Sequence, residues 1–74
     1  MKLYFKIKFG AEIDKIESFG GNRFLVYMTM KKDDPNVMAL FINALSRKFG
    51  VEQKHIKYLG KNGEGPMEEH IFEI

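Results

Sequence analysis

The chain has no cysteine, which removes several classes of protein at once. Without a thiol there is no disulfide staple, no thiolate nucleophile and no sulfur ligand for a metal. A small domain that does without disulfides belongs in a reducing compartment, so the expected location is the cytoplasm. Long hydrophobic runs are missing too. The first stretch, MKLYFKIKFGAEIDK, has lysines among its apolar residues, which fits neither a signal peptide nor a membrane span. Neither charge sign is in large excess: 12 Lys and Arg against 10 Asp and Glu leave a net +2. That balance allows a weak attraction to phosphate and excludes a strongly basic nucleic-acid arm. No internal repeat, low-complexity run or linker interrupts the chain.

What is present suits one globular domain over residues 1–74. Hydrophobic residues make up 45% and charged residues 30%, a balance that excludes intrinsic disorder. Seven Phe and three Tyr supply much of the volume that so short a chain needs for its single core.

The pattern of the first thirty residues is that of strands. In KLYFKIKF, Leu3, Phe5, Ile7 and Phe9 share one face and Lys2, Tyr4, Lys6 and Lys8 the other, the period of two of a half-buried strand. Ile13, Ile16 and Phe19 do not share one parity, so 13–19 is a weaker strand. Gly20-Gly21-Asn22 predicts a hairpin turn, and RFLVYMTM then alternates Phe24, Val26, Met28 and Met30 against Arg23, Leu25, Tyr27 and Thr29.

KKDDPNVMALF passes from charge to apolar residues at Asp34-Pro35. The spacing predicts a helix over 35–49, with Asp34 as N-cap, Pro35 at the first helical position and Gly50 as the stop. Its apolar residues span roughly 200° of the circumference, more than one sheet face covers. That leaves Met38 and Ile42 on one rim and Leu40 on the other. Two more strands follow, over 55–59 and 68–74, separated by a glycine-rich segment, 60–66, which predicts a mobile loop. The fold expected is α+β, a two-layer arrangement in the order β-(β)-β-α-β-β. One main helix packs on one face of a mixed four- to five-stranded sheet.

From Phe5 to about Leu59 the chain resembles the YggU-like family of small conserved proteins. IKFGAEIDKI carries Gly10, Ala11, Asp14 and Ile16 in the register of that family's V-x-P-G-A-x-x-D-x-I. GNRFLVYMT carries Gly21, Val26 and Thr29, and LFINALSRKFGV carries Ile42, Leu45, Phe49, Gly50 and Val51. The chain departs from the family at A-P-P-x-D-G-x-A-N, where KKDDPNVM keeps only Asp34, and at the closing G-x-x-S-R-x-K, where GKNGEGPMEEH keeps nothing. The C-terminal helix found in many members of that family is not expected here, since Ile74 closes the last predicted strand. The resemblance implies a two-layer α/β fold with a mixed sheet, and no particular activity. It singles out Asp34 as the surviving residue of a family loop.

Chemistry-bearing motifs are few. His55 and His70 do not have metal-ligand spacing, Ser18 and Ser46 have no nucleophile-elbow context, and GKNGEG is not a phosphate-binding loop followed by a helix,. The expectation is a non-enzymatic binding protein, monomeric, with no metal or cofactor. Two ways of binding remain. In the first, Lys2, Tyr4, Lys6 and Lys8 with Arg23 and Tyr27 put cations beside aromatic rings, extended along one edge by Lys31 and Lys32. That combination suits phosphate contact and base stacking on RNA. In the second, Met38, Leu40 and Ile42, or a free sheet edge, dock onto a larger protein.

Overall fold

Alternation drives the first segment into an extended strand, β1 (Lys2–Phe9),. In the computed structural model, which describes residues 1–65 and 68–74, Leu3 and Phe5 are buried while Lys2 and Lys8 are exposed. β2 (Lys15–Ser18) and β3 (Arg23–Met28) follow as the antiparallel hairpin expected over Gly20-Gly21-Asn22, with Ile16 opposite Val26. The weak strand is therefore real, though only over four residues.

β3 runs parallel to β1, with Phe5 opposite Phe24 and Ile7 opposite Val26. For that, the chain must leave β1, cross the end of β3 and come back through the edge strand β2. Backbone bonds hold the crossing: the Gly10 N–H donates to the Met30 carbonyl and the Ala11 N–H to the Met28 carbonyl, each at 2.9 Å. The Asp14 carboxylate accepts the Thr29 N–H at 2.8 Å. Gly10 sits at φ 69°, a left-handed value that residues with a Cβ resist. Because its end is used this way, β3 stops at Met28 and not at Met30.

The remaining elements are α1 (Val37–Phe49), β4 (Lys57–Asn62) and β5 (Glu69–Glu73). The sheet order is β2-β3-β1-β5-β4, with β1 parallel to β3 and the other neighbours antiparallel. This open, five-stranded mixed sheet with one helix is the two-layer α+β fold predicted. The core is aromatic. Phe5 is fully buried, stacks on Phe24 at 5.1 Å between centroids, and meets Phe41 and Phe72 edge-on at 5.2 and 5.7 Å. Phe24 in turn meets Phe49 at 5.6 Å. Burying each such ring is worth about 1.5–3 kcal/mol.

Four expectations need correction. The α-helix starts at Val37, and its flanking residue is Asn36, which makes no side-chain cap. Asp34 instead closes the turn leading into the helix: its carboxylate accepts the Asn36 N–H at 2.8 Å and its carbonyl the Val37 N–H at 3.2 Å. Pro35 sits at the second position of that turn, where its fixed φ is favoured. The helix does stop at Gly50, at φ 65°, with Arg47 and Lys48 in the last turn,. Second, Ile42 is not a bare rim residue, because it packs against the core. Third, the segment 60–66 is not all loop. Gly60, Lys61 and Asn62 pair with Ile71, His70 and Glu69, after a register shift between Tyr58 and Gly60. The ladder to β5 outweighs the poor strand propensity of glycine, and Gly60 serves the irregularity. Residues 53–55, partly predicted as strand, form a short 3-10 turn. Pro66, also in the predicted loop, lies outside the described residues.

Two stability measurements check this arrangement. Phe5→Ala is expected to cost about 3–5 kcal/mol in chemical denaturation, since it empties the contact between both sheet neighbours and the helix. Asp34→Ala is expected to cost about 0.5–2 kcal/mol, and Asp34→Asn clearly less, because asparagine keeps the accepting oxygen.

Candidate functional site

The helix covers one face of the sheet and leaves the other bare. On the bare face β1 contributes Lys2, Tyr4, Lys6 and Lys8, and β3 contributes Arg23, Leu25 and Tyr27. Tyr4 lies opposite Arg23, Lys6 opposite Leu25 and Lys8 opposite Tyr27. Both tyrosines are half-buried and each has a cation over its ring. The Arg23 guanidinium is 5.1 Å from the Tyr4 centroid and the Lys15 ammonium 5.7 Å from that of Tyr27, within cation–π range. Arg23 also donates to Glu69 at 2.6 Å, and Lys2 stands opposite Glu73. Lys6 and Lys8 have no ion pair among the described residues.

Other candidate residues lie elsewhere. Lys32 does not extend this patch: its ammonium is 3.5 Å from Glu68, in a cleft on the helix side of the sheet. Lys31 is exposed in the turn before α1, where its carbonyl accepts the Asp34 N–H. Met38 and Leu40 stay exposed, at 37% and 47%, but they do not form one stripe. Leu40 lines a small cavity of about 190 Å³ with Ile16, Met28 and Met30, whereas Met38 lines the cleft that holds Lys32. With Ile42 packed against the core, the apolar helix rim is divided into two separate spots.

That cleft, of about 310 Å³, is a site the sequence reading passed over. It lies beside the start of α1, where β4 and β5 send polar side chains to the face that is otherwise core. The Tyr58 hydroxyl is 2.9 Å from His70 Nδ1. His70 Nε2 is 3.8 Å from Glu68 Oε2, and Lys61 Nζ is 2.6 Å from Glu68 Oε1. Glu68 is nine-tenths buried. Its carboxyl is held below the ordinary 4.5, chiefly by the hydrogen bond from Lys61, against the opposing effect of burial. The same bond raises Lys61 above 10.5. Burial pulls the His70 imidazole below 6.5, with Lys61 and Lys32 adding to the effect and Glu68 opposing it. Burial also raises the Tyr58 hydroxyl above 10.0. The neutral form of the His70 ring is thus the favoured one at neutral pH. One signal for the site was available: His70 shares the parity of Phe72 and Ile74, which point to the core side.

Among the described residues no three His, Asp or Glu side chains gather as a metal-binding group, and no helix is long and apolar enough to cross a membrane. No family model, curated protein or solved structure matches this chain.

The shifts predict an acid-sensitive fold. Because folding disfavours the proton on His70, its contribution is complete above pH 6.5 and is lost as the pH falls below that value,. The depressed Glu68 contributes above 4.5 and loses that contribution at lower pH still,. Unfolding free energy should therefore decline on acidification from neutrality. His70→Gln should flatten the first part of that decline, as followed by urea titration at a series of pH values.

Proposed function

We propose that the bare sheet face binds single-stranded nucleic acid, RNA in the first instance, without catalysing a reaction. What supports this reading is one observation: Lys2, Tyr4, Lys6, Lys8, Arg23 and Tyr27 share a face that no other element of the described chain covers. Lys6 and Lys8 are free to meet phosphates, and the two tyrosines offer rings to bases that displace the Arg23 and Lys15 side chains now lying over them,. Tyr27 stands opposite Lys8, four residues along from Tyr4, so the rings are separated by roughly 13 Å of strand. That spacing suits bases received on separate rings along an extended strand.

The chemistry sets the character of the interaction. Arg23 is shared between Tyr4 and Glu69, and the net charge is low, so few phosphates are neutralised and affinity is modest. Docking through the helix rim is the weaker reading, since Met38 and Leu40 belong to different depressions and Ile42 packs inward. A core that needs no disulfide suits action in the cytoplasm, and the protein acts as a monomer. The resemblance to the YggU-like family is compatible with this role and adds no activity to it.

Anisotropy of a labelled single-stranded oligonucleotide tests the proposal. Tyr4→Ala should cost about 1–3 kcal/mol of binding through lost stacking. Lys6→Ala should weaken binding evenly across sequences and lower the salt slope by about one phosphate contact. Both variants should unfold at nearly the wild-type denaturant concentration, since neither side chain enters the core. Absence of binding to RNA and to single-stranded DNA at low salt would rule the reading out.

A further inference from the structure

The cleft beside the start of α1 lies on the opposite side of the sheet from the nucleic-acid face, and nothing in that role uses it. Its polar groups are unusual for their position. By register His70 lies opposite Phe5, a fully buried ring of the core, on the face that away from this cleft carries the apolar core. A 74-residue domain has little core to spare for a buried carboxylate and a neutral imidazole, each of which costs desolvation.

The geometry around Glu68 is uneven. Oε1 is closely held by Lys61 at 2.6 Å. Oε2, by contrast, faces Lys32 Nζ at 3.5 Å and His70 Nε2 at 3.8 Å, among the described residues. Both separations are longer than a good N–H···O bond. The imidazole proton follows from its neighbours. With the Tyr58 hydroxyl donating to Nδ1, the proton lies on Nε2 and faces the carboxylate. The other tautomer would aim a lone pair at the negative charge. Glu68 Oε2, an acceptor, therefore has two donors beside it, Lys32 and His70, neither of them closely bound to it.

A guest oxygen that bridges these groups must donate to the carboxylate while accepting from the ammonium and the imidazole. A hydroxyl does both with one atom. An anion there would face Glu68 Oε2 at close range, and a cation would face Lys32. We infer that this cleft is a binding site for a small, neutral, polyhydroxylated molecule, a sugar or sugar-like polyol, anchored by one hydroxyl between Glu68, Lys32 and His70. The remaining walls suit the same class. Phe9, Pro35 and Met38 offer an apolar surface for a C–H face, and Lys61 and the Tyr58 hydroxyl stand at its edge for further hydroxyls. A volume of about 310 Å³ is at the small end for ligand pockets and fits a monosaccharide-sized guest.

The test is a chemical-shift titration of the full chain with D-ribose, D-glucose and glycerol, and in parallel with sodium acetate and inorganic phosphate. Saturable shifts of the His70 ring and of the amides of 58–61 and 68–70 with at least one of the two sugars are expected, with the amides of Lys6 and Lys8 unmoved. Glu68→Gln should weaken that binding roughly tenfold or more, as loss of a hydrogen bond to a charged group does. Should that variant lose stability through Lys61, Lys32→Met provides the same reading at a mostly exposed side chain, with an unchanged unfolding midpoint. Shifts at His70 driven by acetate or phosphate and not by the sugars would overturn the inference. So would no saturation with ribose or glucose up to its solubility limit, or sugar binding that Lys32→Met leaves intact.

Discussion

Phe5 stands where every layer of this protein meets. It belongs to the central strand, stacks on Phe24 of the parallel neighbour, and meets Phe72 of the antiparallel neighbour and Phe41 of the helix. With so few residues, one cluster of rings must join sheet to helix, and no second core can compensate. The helix has 13 residues and so is about 20 Å long. It can lie over the middle of a five-stranded sheet roughly 19 Å wide, but one helix about 10 Å across cannot cover both of its flanks. The bare outer face, the cleft beside β4 and β5 and the small cavity under Leu40 all follow from this shortage of cover.

The parallel pairing of β1 with β3 imposes a second demand. A hairpin edge can return beside its starting strand only by passing over the end of β3. Gly10, Ala11, Asp14 and Thr29 together make that passage through backbone and carboxylate hydrogen bonds. Several residues on which the resemblance rests are therefore spent on chain geometry. The two surfaces proposed for binding differ in kind: the outer face is broad, cationic and aromatic, whereas the cleft is concave and nearly charge-balanced. A polymer suits the first and a small molecule the second.

The acid sensitivity predicted from His70 and the contacts around Glu68 show where reading along the chain stops being informative. Alternation is a local property, so Lys2, Tyr4, Lys6 and Lys8 were visible as one face from eight consecutive residues. The cleft draws Lys32 from the turn before the helix, Tyr58 and Lys61 from β4, His70 from β5 and Glu68 from the residue just before β5. Apart from His70, whose parity sets it on the core side, each of these residues alone looks like an ordinary solvated side chain. Only the pairing of Lys61 with His70 across the ladder reveals them as a set.

The amino-acid sequence by itself determined the strand faces, the hairpin at Gly20-Gly21-Asn22, the end of the helix at Gly50 and the two-layer class. These depend on periodicities and turn preferences that act within a few residues. The tertiary structure alone decided that Gly60, Lys61 and Asn62 extend a strand, that Asp34 closes a turn ahead of the helix, that Ile42 joins the core and that Lys32 belongs to the cleft. In each case a partner distant in sequence, or a hydrogen bond stronger than the local preference, set the outcome. Propensities differ by well under a few kcal/mol per residue, and a paired strand or a packed ring outweighs them.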